Sequence, residues 1–596
     1  MPDFDMIIRG GRVVDGSGAE PFAADVAIRG GRIASVGRVD GTASEMLDAD
    51  GALVTPGFID IHTHYDGQVS WDPVLAPSVQ HGVTTVVMGS CGVGFAPCRA
   101  TDRDRLIRLM EGVEDIPGVA LSEGITWDWE SLEDYMDAID VPHAIDFAVQ
   151  VTHDPLRVYV MGDRAEAGEP ARDDDIAAMR DLTRRALEAG AIGFTTGRTD
   201  LHRTADGEWT PASEATGAEL AGIARAFEGL DHGVLQAVND FDLERDDPDA
   251  FAREFAILES FARAGGGRPF SLSLMQRDFA PGQWRRIIEE AERLKADGVD
   301  MHLQTAPRGI GVILGLQCTF HPFIGFPSYK AIAHLPLAER VAAMKDPAFK
   351  KRLLLETSEK MAGDGSAIPP LADKLLATID FVSCKLFKLG DPPDYEQSVD
   401  NSVYKMAERA GVSPLEMIYD ILLEDEGRAF LYFPIYNYTD LNYQAVHEMM
   451  THPQAIMGLS DGGAHVGTIC DASFPTYLLA HWTKPRSDGR TIAVEQAVHM
   501  LTGKQAAYLG LTDRGLIREG MKADINVIAP QALRLHPPRM VQDLPAGGQR
   551  LLQAATGYRA MLVSGKVVVR DDRVTDARPG RLVRAGPRGA GRMAAE

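Results

Sequence analysis

Two histidines one residue apart, His62 and His64, end the apolar run Gly57-Phe58-Ile59-Asp60-Ile61-His62-Thr63-His64. Side chains alternate across a strand, so both imidazoles project to one side, where they can hold one metal ion between them. Two core histidines on one buried face would otherwise each need a hydrogen-bond partner. A carboxylate stands much later in the chain, in Gly458-Leu459-Ser460-Asp461-Gly462-Gly463-Ala464-His465. Asp461 can bind a metal, and it can take a proton from water as that water attacks a carbonyl. Its alternative is turn chemistry, since Asp-Gly-Gly also turns a chain and caps the helix that follows. Cys91, in Gly89-Ser90-Cys91-Gly92-Val93-Gly94, adds a thiol at a glycine-rich strand end, either a ligand or a buried structural cysteine. Two imidazoles, a carboxylate and a thiolate make a zinc-type donor set with room for water, and zinc lowers the pKa of bound water to about 7.

Groups so far apart in sequence meet only if the winding of the chain carries them to one place. The middle of the chain alternates apolar runs with helical stripes. Candidate strands cover 58–64, 84–91, 146–153, 191–197, 234–238, 270–275, 299–306 and 455–461. Between them, Ile176, Met179, Leu182 and Ala186 share one helix face that stops at Gly190, and Trp284, Ile287, Ala291 and Leu294 share another that stops at Gly298. The fold class expected is α/β, as a (β/α)8 TIM-like barrel rather than a doubly wound sheet. No Gly-rich nucleotide fingerprint stands at a strand–helix junction. In a barrel the C-terminal strand ends converge on one face, which gathers His62, His64, Cys91 and Asp461. The same rule nominates His153, Arg198, Gln236, Gln276, Arg308 and His465 as substrate-binding residues. Arg198 and Arg308 suit bidentate pairing with a carboxylate. Lys385 falls in an insert rather than at a strand end and reads as a solvated or capping lysine.

Residues 1–55 are strand-like, with Gly10-Gly11 and Gly30-Gly31 each flanked by apolar runs, which suggests hairpins. The same texture returns in 511–578, so both ends of the chain should build one small β-sandwich beside a catalytic barrel of 56–510. Inserts near 99–145 and 307–454 interrupt the alternation, the second read as helical with aromatic patches such as Phe430–Phe433. Placed at the barrel top, they are candidates for lids or homo-oligomer contacts. Residues 579–596, rich in Gly, Arg and Ala, read as a disordered tail.

The chain has 596 residues, 45% apolar and 24% charged, with a formal net charge of −26. That charge argues against nucleic acid and anionic membranes as partners and leaves a small-molecule substrate. Five cysteines, an odd number, imply free thiols rather than a disulfide framework. The acidic N-terminus lacks the layout of a secretory signal, and no apolar stretch approaches the roughly 18 residues of a membrane helix. A cytoplasmic location is expected.

With these residues in view, the chain resembles the amidohydrolase superfamily, in its D-aminoacylase (N-acyl-D-amino-acid deacylase) branch. The matching stretches are PGFIDIHTHYDGQ from Pro56, HGVTTVVMGSCGVGFAP from His81, LRVYVMG after His153, GAIGFTTG before Arg198, and GLSDGG at the eighth strand. GLIREGMKADINVI from Gly515 and the Val563–Val569 strand are similar to the family's closing β-layer. The resemblance implies a metal-bearing barrel that hydrolyses amide bonds with zinc, with His62, His64 and Cys91 as ligands and Asp461 as the catalytic aspartate. The family also places histidines on strands five and six. Here those stretches read Val234–Asn239 and Ser271–Gln276 and contain none. One zinc ion is therefore expected rather than two. Gln276 stands where the family has a lysine, and Thr305–Arg308 replaces a tyrosine-rich segment, so the family's hold on a substrate carboxylate does not carry over.

The function expected is a metal-dependent amidohydrolase that cleaves a non-peptide C–N bond of an N-acyl amino acid or a related amide, cyclic ones included. Metal-activated water would attack, with Asp461 as general base and acid. The alternatives are a lactone or ester hydrolase on the same site, and a degenerate barrel acting as a binding scaffold.

Overall fold

A computed structural model describes residues 2–241, 247–361, 368 and 370–586. Eight strands form one parallel sheet: β1 (Phe58–Asp60), β2 (Val83–Met88), β3 (Asp146–Thr152), β4 (Gly193–Arg198), β5 (Val234–Asn239), β6 (Phe270–Ser273), β7 (Met301–Thr305) and β8 (Ala455–Met457). Each pairs with its sequence neighbour, and a bridge between Thr63 and Gly462 joins the chain after β1 to the chain after β8. The sheet thus nearly closes into the barrel expected. These strands read as continuous apolar runs because helices cover them outside and side chains fill them inside; all of β2 and β3 is buried. The helix Asp173–Ala189 buries Met179, Ala186 and Leu187 and ends where Gly190 takes φ 114°. The helix Gln283–Ala296 buries Trp284, Ile287, Ala291 and Leu294.

Both chain ends meet in a single nine-stranded sheet, in which Leu53–Pro56 pairs with Ile525–Ile528 and that strand with Tyr558–Val563. Gly30 and Gly31 make the hairpin turn, with φ of 57° and 71°. Gly10 and Gly11 do not turn: they lie inside the strand Phe4–Val13 at a register shift. A side chain on Gly11 would meet Val54 Cγ2 at 2.4 Å, so this glycine admits a neighbouring strand rather than a hairpin. The β-layer is locked to the barrel's underside by charge. Asp146, at the start of β3, takes Arg514 at 2.5 Å and Lys522 at 2.8 Å, and Lys522 also reaches Asp524 at 2.6 Å.

Three helices, Arg103–Glu114, Gly118–Gly124 and Leu132–Ile139, occupy the first insert. The second is not simply helical. Ile310–Leu314, Leu431–Tyr436 and Phe387–Lys388 form a three-stranded antiparallel sheet, so the Phe430–Phe433 patch is mostly strand, with Leu431 and Phe433 in a separate core beside Phe323, Phe349 and Tyr419, and Phe430 and Tyr432 in the barrel's core. The expected tail is also corrected over its first half. The amide of Phe147 donates to Arg581, that of Val583 to Phe147 and that of Ala585 to Gly190. Residues 587–596 lie outside the described residues. Among the described residues no helix is long and apolar enough to cross a membrane.

Candidate metal centre

The extended chain continues past β1, where the Thr63 amide donates to Val87, so His62 and His64 keep the same side and their ring centroids lie 5.6 Å apart. Cys91 follows β2 with φ 58°, and Asp461 follows β8 with φ 49°. Leu459 and His465 also hold positive φ, at 60° and 47°. Left-handed backbone on residues with a side chain costs free energy and collects where function fixes the geometry. The two sides of the site are pinned together by Ser460, whose hydroxyl donates to Asp60 at 2.5 Å and to the His62 carbonyl at 3.0 Å.

One ligand atom each from His62, His64 and Cys91 lies within 4.8 Å of the others. Asp461 Oδ1 sits 3.1 Å from His62 Nε2 and 3.7 Å from His64 Nε2, and Cys91 Sγ sits 3.3 Å from His62 Nε2. Both nitrogens of His64 are buried and neither makes a hydrogen bond. Carboxylates face both nitrogens without completing a hydrogen bond, and a buried polar atom left so is costly, so this imidazole beside thiol and carboxylate fits a cation. Burial pushes Asp461 up, but the imidazoles facing it outweigh burial and hold its carboxyl well below the usual range. The nearer ring, His62, is held above the ordinary value by that carboxylate despite burial. Burial wins at the farther ring and pushes His64 down to about 4. Burial and the neighbouring carboxylates drive the Cys91 thiol well up, so without a positive charge it keeps its proton.

Sequence reasoning missed Glu114, the last residue of Arg103–Glu114. Its side chain is fully enclosed, with Oε1 3.1 Å from His64 Nδ1 and Oε2 3.6 Å from His465 Nε2. Burial, with Asp461 and Asp66 nearby, pushes its carboxyl well up. His202, from the loop after β4, was missed as well; burial and the charges of His465 and His64 push it down to about 3. His465 itself stays at the rim, its side chain 22% exposed.

Four nominated substrate contacts are already engaged within the fold. His153 opens the helix His153–Met161 and is enclosed, with Nδ1 on Thr196 Oγ1 at 2.9 Å and Nε2 on Glu219 at 3.0 Å. Arg198 is neutralised by Glu254 at 2.9 and 3.0 Å. Arg308 is buried against Asp471 at 2.8 Å and over the Tyr395 ring. Gln276 donates to Asp440 at 2.8 Å and ties β6 to the second insert. Each is a polar group with partners inside the fold. Lys385, read as solvated, is paired with Asp278 at 2.6 Å with its side chain only 12% exposed. Gln236 does lie beside His62, with Nε2 3.4 Å from Nδ1.

Beside His153, burial pushes Asp154 up to about 7, against the Ala212 amide and Arg157. An unfolded aspartate titrates near 3.9, so the folded chain binds this proton more tightly, and stability is shed as pH rises from about 4 to about 7. Asp154→Asn keeps an acceptor for Ala212 and removes the titration. Its stability advantage over the parent should grow by about 3 kcal/mol between pH 5 and pH 8 in urea unfolding. Parallel profiles would exclude the shift.

The Amidohydrolase family model matches residues 45–569. A D-aminoacylase of Alcaligenes xylosoxydans xylosoxydans is 27% identical over 585 residues, covering 97% of this chain and 97% of that protein. An N-acyl-D-aspartate deacylase from the same organism is 28% identical, covering 98% of this chain and 95% of that protein. Among solved structures, the N-acyl-D-glutamate deacylase of Bordetella bronchiseptica, complexed with zinc and a phosphonate mimic of the tetrahedral intermediate, superposes with a TM-score of 0.62. That match is 23% identical and covers 98% of this chain and all of the other.

Proposed function

From the premise that the chain belongs to the amidohydrolase family, we propose that it removes the acyl group from an N-acyl amino acid at a single zinc ion. The enzyme is a metal-dependent hydrolase of carbon–nitrogen bonds other than peptide bonds. The observation that carries the reading is the convergence of His62, His64 and Cys91 within 4.8 Å of one another, with Asp461 against both imidazoles. His62, His64, Cys91 and Asp461 would hold the ion. When bound, it supplies Lewis acidity to the acyl carbonyl and to water.

The chain's own groups do the rest. Asp461, whose Oδ1 lies 3.1 Å from His62 Nε2 and 3.7 Å from His64 Nε2, stands beside the place where those imidazoles would hold the ion and its water. Its carboxylate then accepts the proton from attacking water and hands it to the leaving nitrogen, which departs as a neutral amine. His465, with its side chain 22% exposed, is the partly open imidazole of the site. Arg198 and Arg308 are already paired, so recognition of the amino-acid carboxylate falls to other groups. The single-ion count rests on β5 and β6, which offer Gln236 and Ser273 where a second ion would need imidazoles.

The test is release of free amine from N-acetyl-D- and N-acetyl-L-amino acids, with matched acetate esters alongside. Metal-dependent deacylation of the amides, abolished by chelation and restored by about one zinc equivalent, is expected. Ester hydrolysis with no amide turnover would replace the reading with the esterase one.

A further inference from the structure

A line of uncharged side chains crosses the barrel interior beneath His62. Gln150 Nε2 donates to Gln236 Oε1 at 2.8 Å, and Gln236 Nε2 comes within 3.4 Å of His62 Nδ1. On the other flank Gln304 Oε1 lies 2.8 Å from His62 Nδ1. Gln304 Nε2 donates to Ser271 Oγ at 2.9 Å, and Ser271 Oγ meets Tyr508 OH at 2.8 Å. Tyr508 OH ends the line on the Leu235 carbonyl at 3.4 Å. Gln150, Gln236, Gln304 and Ser271 are each at most 1% exposed, and Tyr508 comes from the helix Gly503–Leu509.

The polarity of this line decides the state of the imidazole. A carbonyl oxygen 2.8 Å from a ring nitrogen requires hydrogen on that nitrogen, because two acceptors at that distance repel. With hydrogen on Nδ1 shared to the Gln304 oxygen, the Gln236 NH2 at 3.4 Å does not donate to that nitrogen, so the sense of the Gln304 amide is set from its other end. The Ser271 hydroxyl, passing its own hydrogen to Tyr508, holds the amide in the favourable sense. Hydrogen is therefore kept on Nδ1, and Nε2, which faces Asp461 Oδ1 and Cys91 Sγ, is the nitrogen whose proton a cation would displace. The hydrogen bond made by one ring nitrogen selects what the other can bind.

We infer that Gln304, held by Ser271 and Tyr508, is the positioning residue that presents His62 Nε2 to the metal. This rests on the metal reading above. The test is zinc affinity by chelator competition on the full-length parent, Gln304→Leu, Gln304→Glu and Tyr508→Phe proteins, with the visible spectrum of each cobalt-loaded form. Gln304→Leu should bind about 10- to 100-fold more weakly, with an altered cobalt spectrum. Gln304→Glu, which keeps the acceptor, should hold zinc at least as tightly as the parent. Tyr508→Phe, which removes one hydroxyl remote from the ion, should lose affinity by a smaller factor. A parent that binds metal while Gln304→Leu binds equally well, or Gln304→Glu binds as weakly as Gln304→Leu, overturns the inference alone. A parent that binds no stoichiometric metal overturns the metal reading together with it.

Discussion

The Asp461→Asn protein, folded and loaded with excess zinc, should deacylate its best N-acyl amino acid at least about 10³-fold more slowly than the parent, chiefly in kcat. Asparagine keeps the size of the side chain and an oxygen 3.1 Å from His62 Nε2, but it cannot accept a proton. General acid–base groups contribute about 10²–10⁴ in rate, and this one would serve two proton transfers. Loss of negative charge also weakens the hold on the ion, so metal must be saturating for the comparison to isolate chemistry. Full turnover with metal retained would remove Asp461 from the reaction.

The second large effect is on metal itself. Parent protein purified without chelator should carry about one divalent ion per chain. His62→Ala and His64→Ala should each weaken binding at least about 10²-fold, and the double variant should hold none above background. Activity should follow metal: removed from the parent by chelation, restored by zinc, and not restored in the double variant. Each substitution also leaves an outer partner without its ring, Gln304 for His62 and Glu114 for His64. Circular dichroism should show both variants folded, since the barrel core does not depend on these two side chains. Undiminished metal in the double variant would place the site elsewhere.

The barrel was legible because buried parallel strands are written as unbroken apolar runs, bounded by glycine and by helical stripes of a different period. The site was legible where local geometry decides: His62 and His64 share a face at any strand end, whatever surrounds them. Asp461 and Cys91 followed from the convergence of strand ends. Reading stops where a distant partner decides. Arg198 and Arg308 do follow strand ends, but Glu254 and Asp471 claim them, and no spacing announces that pairing. The partners of His153 are equally silent in the sequence, with Glu219 and Thr196 taking both ring nitrogens. Glu114 did leave a trace. It continues the buried stripe of Leu106, Leu109, Met110 and Val113, an acid on a face that should hold none. Such a violation of pattern marks a functional or strained position more often than a mistake. The Gly10-Gly11 bulge resembled a hairpin because the same dipeptide serves both purposes, and only the neighbouring strand distinguishes them.

The segment Gly580–Ala585 pairs with Phe147 and Gly190 on the underside of β3 and β4, while Asp146 is claimed by Arg514 and Lys522. A ribosome must therefore translate most of the message before the third strand acquires its last neighbours. Until then the half-made barrel exposes the start of that strand and an unneutralised acid in its floor, a state open to chaperones and proteases. Deleting these few residues should leave the reaction chemistry untouched in molecules that fold, yet lower the yield of such molecules in the cell.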